Sequence, residues 1–368
     1  MKRSRIVYFL FLFSGITALI YEVVWTRMLT LAFGHTVFSV SIVLASFMAG
    51  LGFGSYFSGH TINQIGGKKT QSDSGSLSRE FSEDLEASSP LLIYGWIEIV
   101  LFLLCLVVSL ILFKFSVIYS WFSFFVPESI VVQNIFKSFL AFILMFIPAS
   151  LMGATLPIIS QYYITDNIRL DTRLGLIYGI NTFGAALGCL LTGFFLIANF
   201  GVLQTVLAAT VLNLFVGISA IRIYQESLKS SKGLHFPRFT IPKISLERGQ
   251  WLWIVVSFVC GFTALSYEVL WTRLLIFSTS STVYSFSMML GVFLIGIALG
   301  SFLVVFVFRS SLNLRTVLIL LQAVIGLYVI GSLYTMEQLL STPWNGYNLQ
   351  KPFFVFSRYF ADSSALML

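Results

Sequence analysis

Nine stretches of predominantly apolar residues succeed one another along the chain, over 6–33, 37–57, 91–113, 136–159, 174–197, 202–223, 251–277, 283–308 and 317–334. About 20 such residues are what a helix needs to cross roughly 30 Å of hydrocarbon. No water-soluble core buries so many: 57% of the 368 residues are hydrophobic, 16% aromatic and only 10% charged, too little polar surface to cover a soluble globule. Lipid offers no hydrogen bonds, so each run must satisfy its own backbone as a helix. The expected fold class is an all-α integral membrane protein, with the lipid bilayer as its first partner. The opening MKRSR and the run behind it have no small-residue cleavage site before Glu22, so they read as a helix rather than a cleaved leader.

Two of these runs contain charges in nearly the same words. YEVVWTRML at 21–29 holds Glu22 and Arg27; YEVLWTRLL at 267–275 holds Glu268 and Arg273, an offset of 267 − 21 = 246 residues. Aligning 15–29 with 261–275 gives 11 identities in 15 positions without a gap. The same offset carries TVFSVS at 36–41 onto TVYSFS at 282–287, and GLGFGS at 50–55 onto GIALGS at 296–301. In the third run Glu98 matches Gln322, and the 22 residues lost there fall in the loop containing TQSDSGSLSREFSEDLEASS.

Six runs separate the two copies, so both start on the same membrane face and the repeat is parallel, as between the halves of a major facilitator transporter. The expected architecture is a first six-helix bundle over 1–225, a basic linker over 226–249 and the start of a second bundle over 250–368. That second bundle is expected to be truncated, with helices seven to nine and part of a tenth in KPFFVFSRYFADSSALML. Within the first bundle the Ser-rich, acidic segment 60–89 has too little apolar area to offset ordering and is expected to be a disordered cytoplasmic loop.

Orientation follows from lysine and arginine, which cytoplasmic loops retain. An N-terminus inside places Lys2, Arg3, Arg5, Lys68, Lys69, Arg169, Arg173, Arg222 and the basic linker together on the cytoplasmic side, leaving Arg27, Lys114, Lys137 and Arg273 toward the outside. The net charge of +7 is thus a topology signal. No aromatic-interleaved basic groove points to nucleic acid. KFSVIYSWFSFFVPES, rich in aromatic residues, is expected to lie along the outer interface.

A charge near the bilayer centre costs roughly 2.5 to 3.5 kcal/mol on insertion scales, so Glu22, Arg27, Glu268 and Arg273 need partners, water or an interface. At 100° per residue Glu22 and Arg27 stand about 140° apart, which disfavours a pair within one helix. Parallel repeats would let Glu22 meet Arg273 while Glu268 meets Arg27, either as a structural lock or as the wall of a cavity. The alternative has both arginines snorkelling outward while the glutamates cap buried Trp or Tyr groups. Tyr21 with Trp25, and Tyr267 with Trp271, lie four residues apart on one face. Each pair is either an aromatic wall that would attract an organic cation or plain helix packing. A second candidate wall joins Tyr178 and the intramembrane Asn181 to the helix in which Pro148 and Pro157 bracket Gly153. The small-residue spacings Gly50/Gly54 and Gly296/Gly300 read as packing. Cys105, Cys189 and Cys260 read as small core residues, and the three histidines are scattered, so no metal or other cofactor is expected.

ALIYEVVWTRML, FMAGLGFGS, PASLMGATLP at 148–157 and LGLIYGINTFGAALGCLLTGFFL at 174–196 together resemble the membrane region of bacterial fused major facilitator/spermidine synthase proteins, over essentially the whole chain. The resemblance implies a multi-pass protein of the bacterial inner membrane that handles a small cationic or amino-acid-derived solute such as a polyamine. It further implies a soluble spermidine synthase-like partner domain, which would carry aminopropyl transfer. These 368 residues have no glycine-rich turn after a strand to hold a nucleotide, so they hold no catalytic residues for that reaction by themselves. GHTINQIGGKK from Gly59 has the spacing of the major facilitator loop after the second helix, with Asn63, Gln64 and Gly67 replacing its charged members. A purely structural membrane anchor is the third expectation.

Overall fold

A computed structural model describes residues 2–34, 36–66, 76–124, 129–163, 170–228, 250–279, 281–307 and 314–341. Among these residues the chain is almost entirely helical and has no strand. The helices are α1 (Lys2–Phe33), α2 (Thr36–Gly66), α3 (Ser76–Phe113), α4 (Phe115–Ser123), α5 (Ile130–Tyr163), α6 (Leu170–Leu191), α7 (Ile197–Leu228), α8 (Gln250–Thr279), α9 (Thr282–Val307) and α10 (Leu314–Ser341). A π-helical turn, Thr192–Leu196, joins α6 to α7.

Among the described residues seven helical stretches are long and apolar enough to cross a membrane. One of them, Leu174–Glu226, has 53 residues, which at 1.5 Å each makes about 80 Å, more than twice the hydrocarbon thickness. It is divided at Gly201, whose φ of 79° and ψ of 176° belong to no helix. The expected fifth and sixth runs lie on its two sides. With the shorter apolar stretch Thr316–Ser332 of α10, all nine runs fall on helix apart from Phe308, which lies outside the described residues. The protein is a multi-pass helical membrane protein. Its polarity is accordingly inverted: Phe9, Leu31, Phe258 and Leu327 face outward, while Glu22, Glu98 and Glu268 are buried. α4, with 9 residues, is too short to cross. Its Tyr119 is covered by Lys137, whose Nζ sits 4.5 Å from the ring centroid, while Trp121 is exposed.

Part of the segment over 60–89, expected to be a disordered loop, is helical among the described residues. Helix continues to Gly66 and resumes at Ser76, ahead of the buried Pro90, because SREFSEDLEA holds several good helix formers among its serines. Residues 67–75, 229–249 of the linker and 342–368, where a tenth helix was expected to begin, lie outside the described residues.

Glycine determines which helices touch. α2 packs along α5, where a Cβ on Gly54 would run into the carbonyl oxygen of Ser150 and one on Gly153 into Leu51; Ser55 Oγ donates to Gly153 O at 2.8 Å. α1 packs along α6 through Gly15 against Asn181, Gly184 against Leu12 and Gly188 against Ile16. α3 meets α7 at Gly95 and Gly217. α1 to α7 thereby form one bundle. α9 docks on α6, with Gly193 against Ser287 and Gly291 against Leu190, and α8 leans on α9 and α2. Among the described residues the second copy's Gly296 and Gly300 have nothing within 4 Å, whereas Gly50 and Gly54 pack closely on α5.

Candidate functional site

α8 buries few side chains, and they are informative. Glu268, Thr272 and Leu275 follow each other at i, i+4 and i+7, one stripe of a 3.6-residue helix, while Leu252, Phe258, Phe262 and Leu270 face outward. The inward stripe is thus the more polar one. From the other copy of the repeat, Glu22 of α1 is 2% exposed and Glu268 0%, and the two carboxyl groups lie within electrostatic reach of each other. Both also act on Cys189 of α6, whose Sγ donates to Ser287 O of α9 at 3.4 Å. The floor is apolar: Leu19, Val23, Val40, Leu44, Val269 and Phe286 pack around Cys189.

Several polar atoms here are sealed from solvent without a hydrogen-bond partner: Glu22 Oε1, both carboxyl oxygens of Glu268, Thr272 Oγ1 and Ser287 Oγ. Ser287 Oγ lies against Gly193, where any side chain would collide with it. Gly193 belongs to the π turn, a form found often at functional sites. Thr192 Oγ1 in the same turn donates to Gly188 O at 2.6 Å, and Phe194 stacks on Tyr284 at 5.4 Å. Among the described residues the arrangement gathers acceptors and hydroxyls but no basic group, so its carboxyls, when ionised, call for something positive to enter.

The expected cross-repeat ion pairs are not formed. No ion pair joins Glu22 to Arg273 or Glu268 to Arg27 among the described residues; Arg27 is half-buried and Arg273 exposed. The reason is the 140° separation within each helix, which turns the arginine away whenever the glutamate faces inward. The glutamates do not cap the neighbouring indole either: Trp25 Nε1 donates to Ser109 Oγ of α3 at 2.7 Å. Tyr21 and Trp25 stack with centroids 5.6 Å apart, and Trp25 also meets Phe47 at 5.6 Å. Both are fully buried in the core between α1, α2 and α3. Tyr267 and Trp271 are half-buried on α8. Tyr178 is exposed, and Asn181 is spent in the seam against Gly15. α5 runs unbroken through Pro148 and Pro157, which removes the broken backbone on which the second candidate wall depended.

Glu98, Cys189, Thr272 and Ser287 are the residues that sequence reasoning passed over. Glu98 had a signal: it is the one ionisable side chain within 91–113 apart from Tyr94 and Cys105, and an intramembrane acid is a functional hypothesis by default. The other three had none, since a Cys, Thr or Ser inside an apolar run is ordinary. The described residues hold no group of three or more His, Cys, Asp or Glu able to share a metal ion. Comparison of the chain with protein-family models, with curated proteins and with solved structures found no match.

Proposed function

We propose that this chain is a solute-handling membrane module that binds or moves a small organic cation, a polyamine being the leading type, between two parallel repeats of the major facilitator kind. The observation that carries the reading is the Glu22–Glu268 pair, one carboxyl from each copy of the repeat, buried together with no basic partner. A polyamine has spaced positive charges, each able to donate charge-assisted hydrogen bonds to a carboxylate, and Ser287 and Thr272 offer further polar contacts. In this reading the N-terminus is cytoplasmic and the membrane is the bacterial inner membrane, as the lysine and arginine distribution supports.

The test is equilibrium binding of labelled spermidine and putrescine to the purified chain in nanodiscs. Saturable binding is expected, and Glu22→Gln or Glu268→Gln should each weaken it by about 10- to 100-fold, the equivalent of losing one charged hydrogen bond of about 1.5 to 3 kcal/mol. Binding that is unchanged in both variants would sink the proposal. A second reading, favoured by the motifs at 18–29, 47–55, 148–157 and 174–196, makes the chain the membrane part of a spermidine synthase-like aminopropyltransferase. There the carboxyl pair would hold a polyamine substrate or product near the enzyme domain. Absence of any saturable binding favours the third reading, a structural anchor.

A further inference from the structure

The first bundle contains a second buried acid that the pair between the repeats does not use. Glu98 of α3 is 0% exposed. Ser14 Oγ of α1 donates to its Oε1 at 2.5 Å. The Tyr94 hydroxyl stands beside Glu98 and Ser14 and donates to Leu10 O at 3.3 Å. The other carboxyl oxygen, Oε2, is sealed from solvent with no partner. So is the hydroxyl of Tyr21, which lies within electrostatic reach of Glu98 and is the residue immediately before Glu22.

The titratable groups that act on this pocket are Tyr94 and Cys105 on α3 and Tyr21 on α1. α7, packed on α3, brings Tyr224 into the buried cluster that holds Tyr94, and carries Arg222 and Glu226 near its end. α5 contributes Tyr162 at the margin of that cluster and Lys137, which is engaged with the Tyr119 ring. No lysine or arginine pairs with Glu98 among the described residues.

We propose that Glu98 is an intramembrane proton-binding site, separate from the Glu22–Glu268 pair and linked to it by α1. Its unpartnered Oε2 forms the O–H bond when the proton arrives, and the site's charge rises by one; release returns the proton to water through local opening. A proton is the ligand that fits. It requires a single oxygen lone pair, and Oε2 supplies one, whereas a metal cation needs about six oxygens with lone pairs turned inward. Here the Ser14 hydroxyl turns its hydrogen toward the carboxyl group instead.

Infrared difference spectroscopy of the full chain in nanodiscs, without solute, tests the site independently of the solute reading. A carbonyl stretch of a protonated carboxyl group should appear in the pH difference spectrum, shift down in deuterium oxide and vanish in Glu98→Gln. It should persist in the Glu22→Gln/Glu268→Gln double variant. In Ser14→Ala, which deletes the donor to Oε1, the band should move to higher frequency; in Glu98→Asp it should shift rather than disappear, which keeps the assignment testable if the glutamine variant folds poorly. The proposal is overturned if the spectra of wild type and Glu98→Gln differ only in carboxylate bands at every pH where the protein stays folded. A change that follows sodium and not pH overturns it equally.

Discussion

Glu22 and Arg27 sit five positions apart on one helix, yet they meet different environments: the acid is buried within electrostatic reach of Glu268, while the arginine is half-buried on another face. Because each glutamate lies within electrostatic reach of the other and pairs with neither arginine among the described residues, charge removal has an uncommon sign. Glu22→Gln or Glu268→Gln should leave the melting temperature in detergent unchanged or raise it, since each relieves like-charge repulsion. Arg273→Met, on an exposed position, should stay within about 0.5 kcal/mol, and its combination with Glu22→Gln should be additive. A destabilised Glu22→Gln that Arg273→Met rescues would mean that the two charges pair after all. The indole of Trp25 gives the opposite case. Ser109→Ala leaves its buried N–H without an acceptor and should cost about 1 to 3 kcal/mol, whereas adding Trp25→Phe to that variant should cost less than the two separate losses combined. Thermal unfolding of the three variants closes that cycle.

At the level of helices, the two copies of one motif have diverged in use. Gly54→Ala and Gly153→Ala push a methyl group into backbone of the partner helix and should each cost about 1 to 3 kcal/mol, while Gly300→Ala, which meets nothing within 4 Å, should fall within about 0.5 kcal/mol. Equal losses at Gly54 and Gly300 would show that α9 is packed as tightly as α2. Gly201 is a separate matter, because its φ of 79° with ψ near 180° is open to glycine almost alone. Gly201→Ala should cost about 1 to 3 kcal/mol, and its damage should be local to the break it makes near the start of α7. Hydrogen exchange centred on 192–206 would report that locality. A uniform loss of protection across the bundle would contradict it.

For the molecule as a whole, the count of crossings fixes which ends share a side. α1, α2, α3, α5 and the two parts of the 53-residue stretch are six apolar stretches of membrane-crossing length between Lys2 and Leu228, with α4 too short to count. Cysteines placed at Ser4 and Ser227 should therefore react with an impermeant thiol reagent from one and the same side, in a background where Cys105, Cys189 and Cys260 are replaced by alanine. Labelling from opposite sides would remove a crossing and with it the parallel relation of the repeats. The outward faces of α8 and α10, with Phe258, Phe262, Ile319 and Leu327 exposed, differ from the buried faces of α1. The same words therefore sit in two environments: Tyr21 and Trp25 are core, whereas Tyr267 and Trp271 are half-buried.

Sequence alone determined the solvent, the positions of the apolar runs and the existence of the repeat, because hydrophobic length and word identity are local properties that lipid reads directly. It also marked Glu22 and Glu268, since an acid in an apolar run is visible without coordinates. What it could not supply was the partner of each charge. Pairing depends on the rotation and docking of whole helices, and those are set by where glycine lets backbones approach: Gly15, Gly184 and Gly188 bring α6 against α1, and Gly193 brings Ser287 of α9 into the same place. Only that packing buried the two glutamates within electrostatic reach of each other and left Arg27 half-buried and Arg273 exposed. It buried Tyr21 and Trp25 against α3, and it gave Glu98 a donor in Ser14 from 84 residues away. Helix content is decided within each run, but a buried polar site is decided by the contacts between runs.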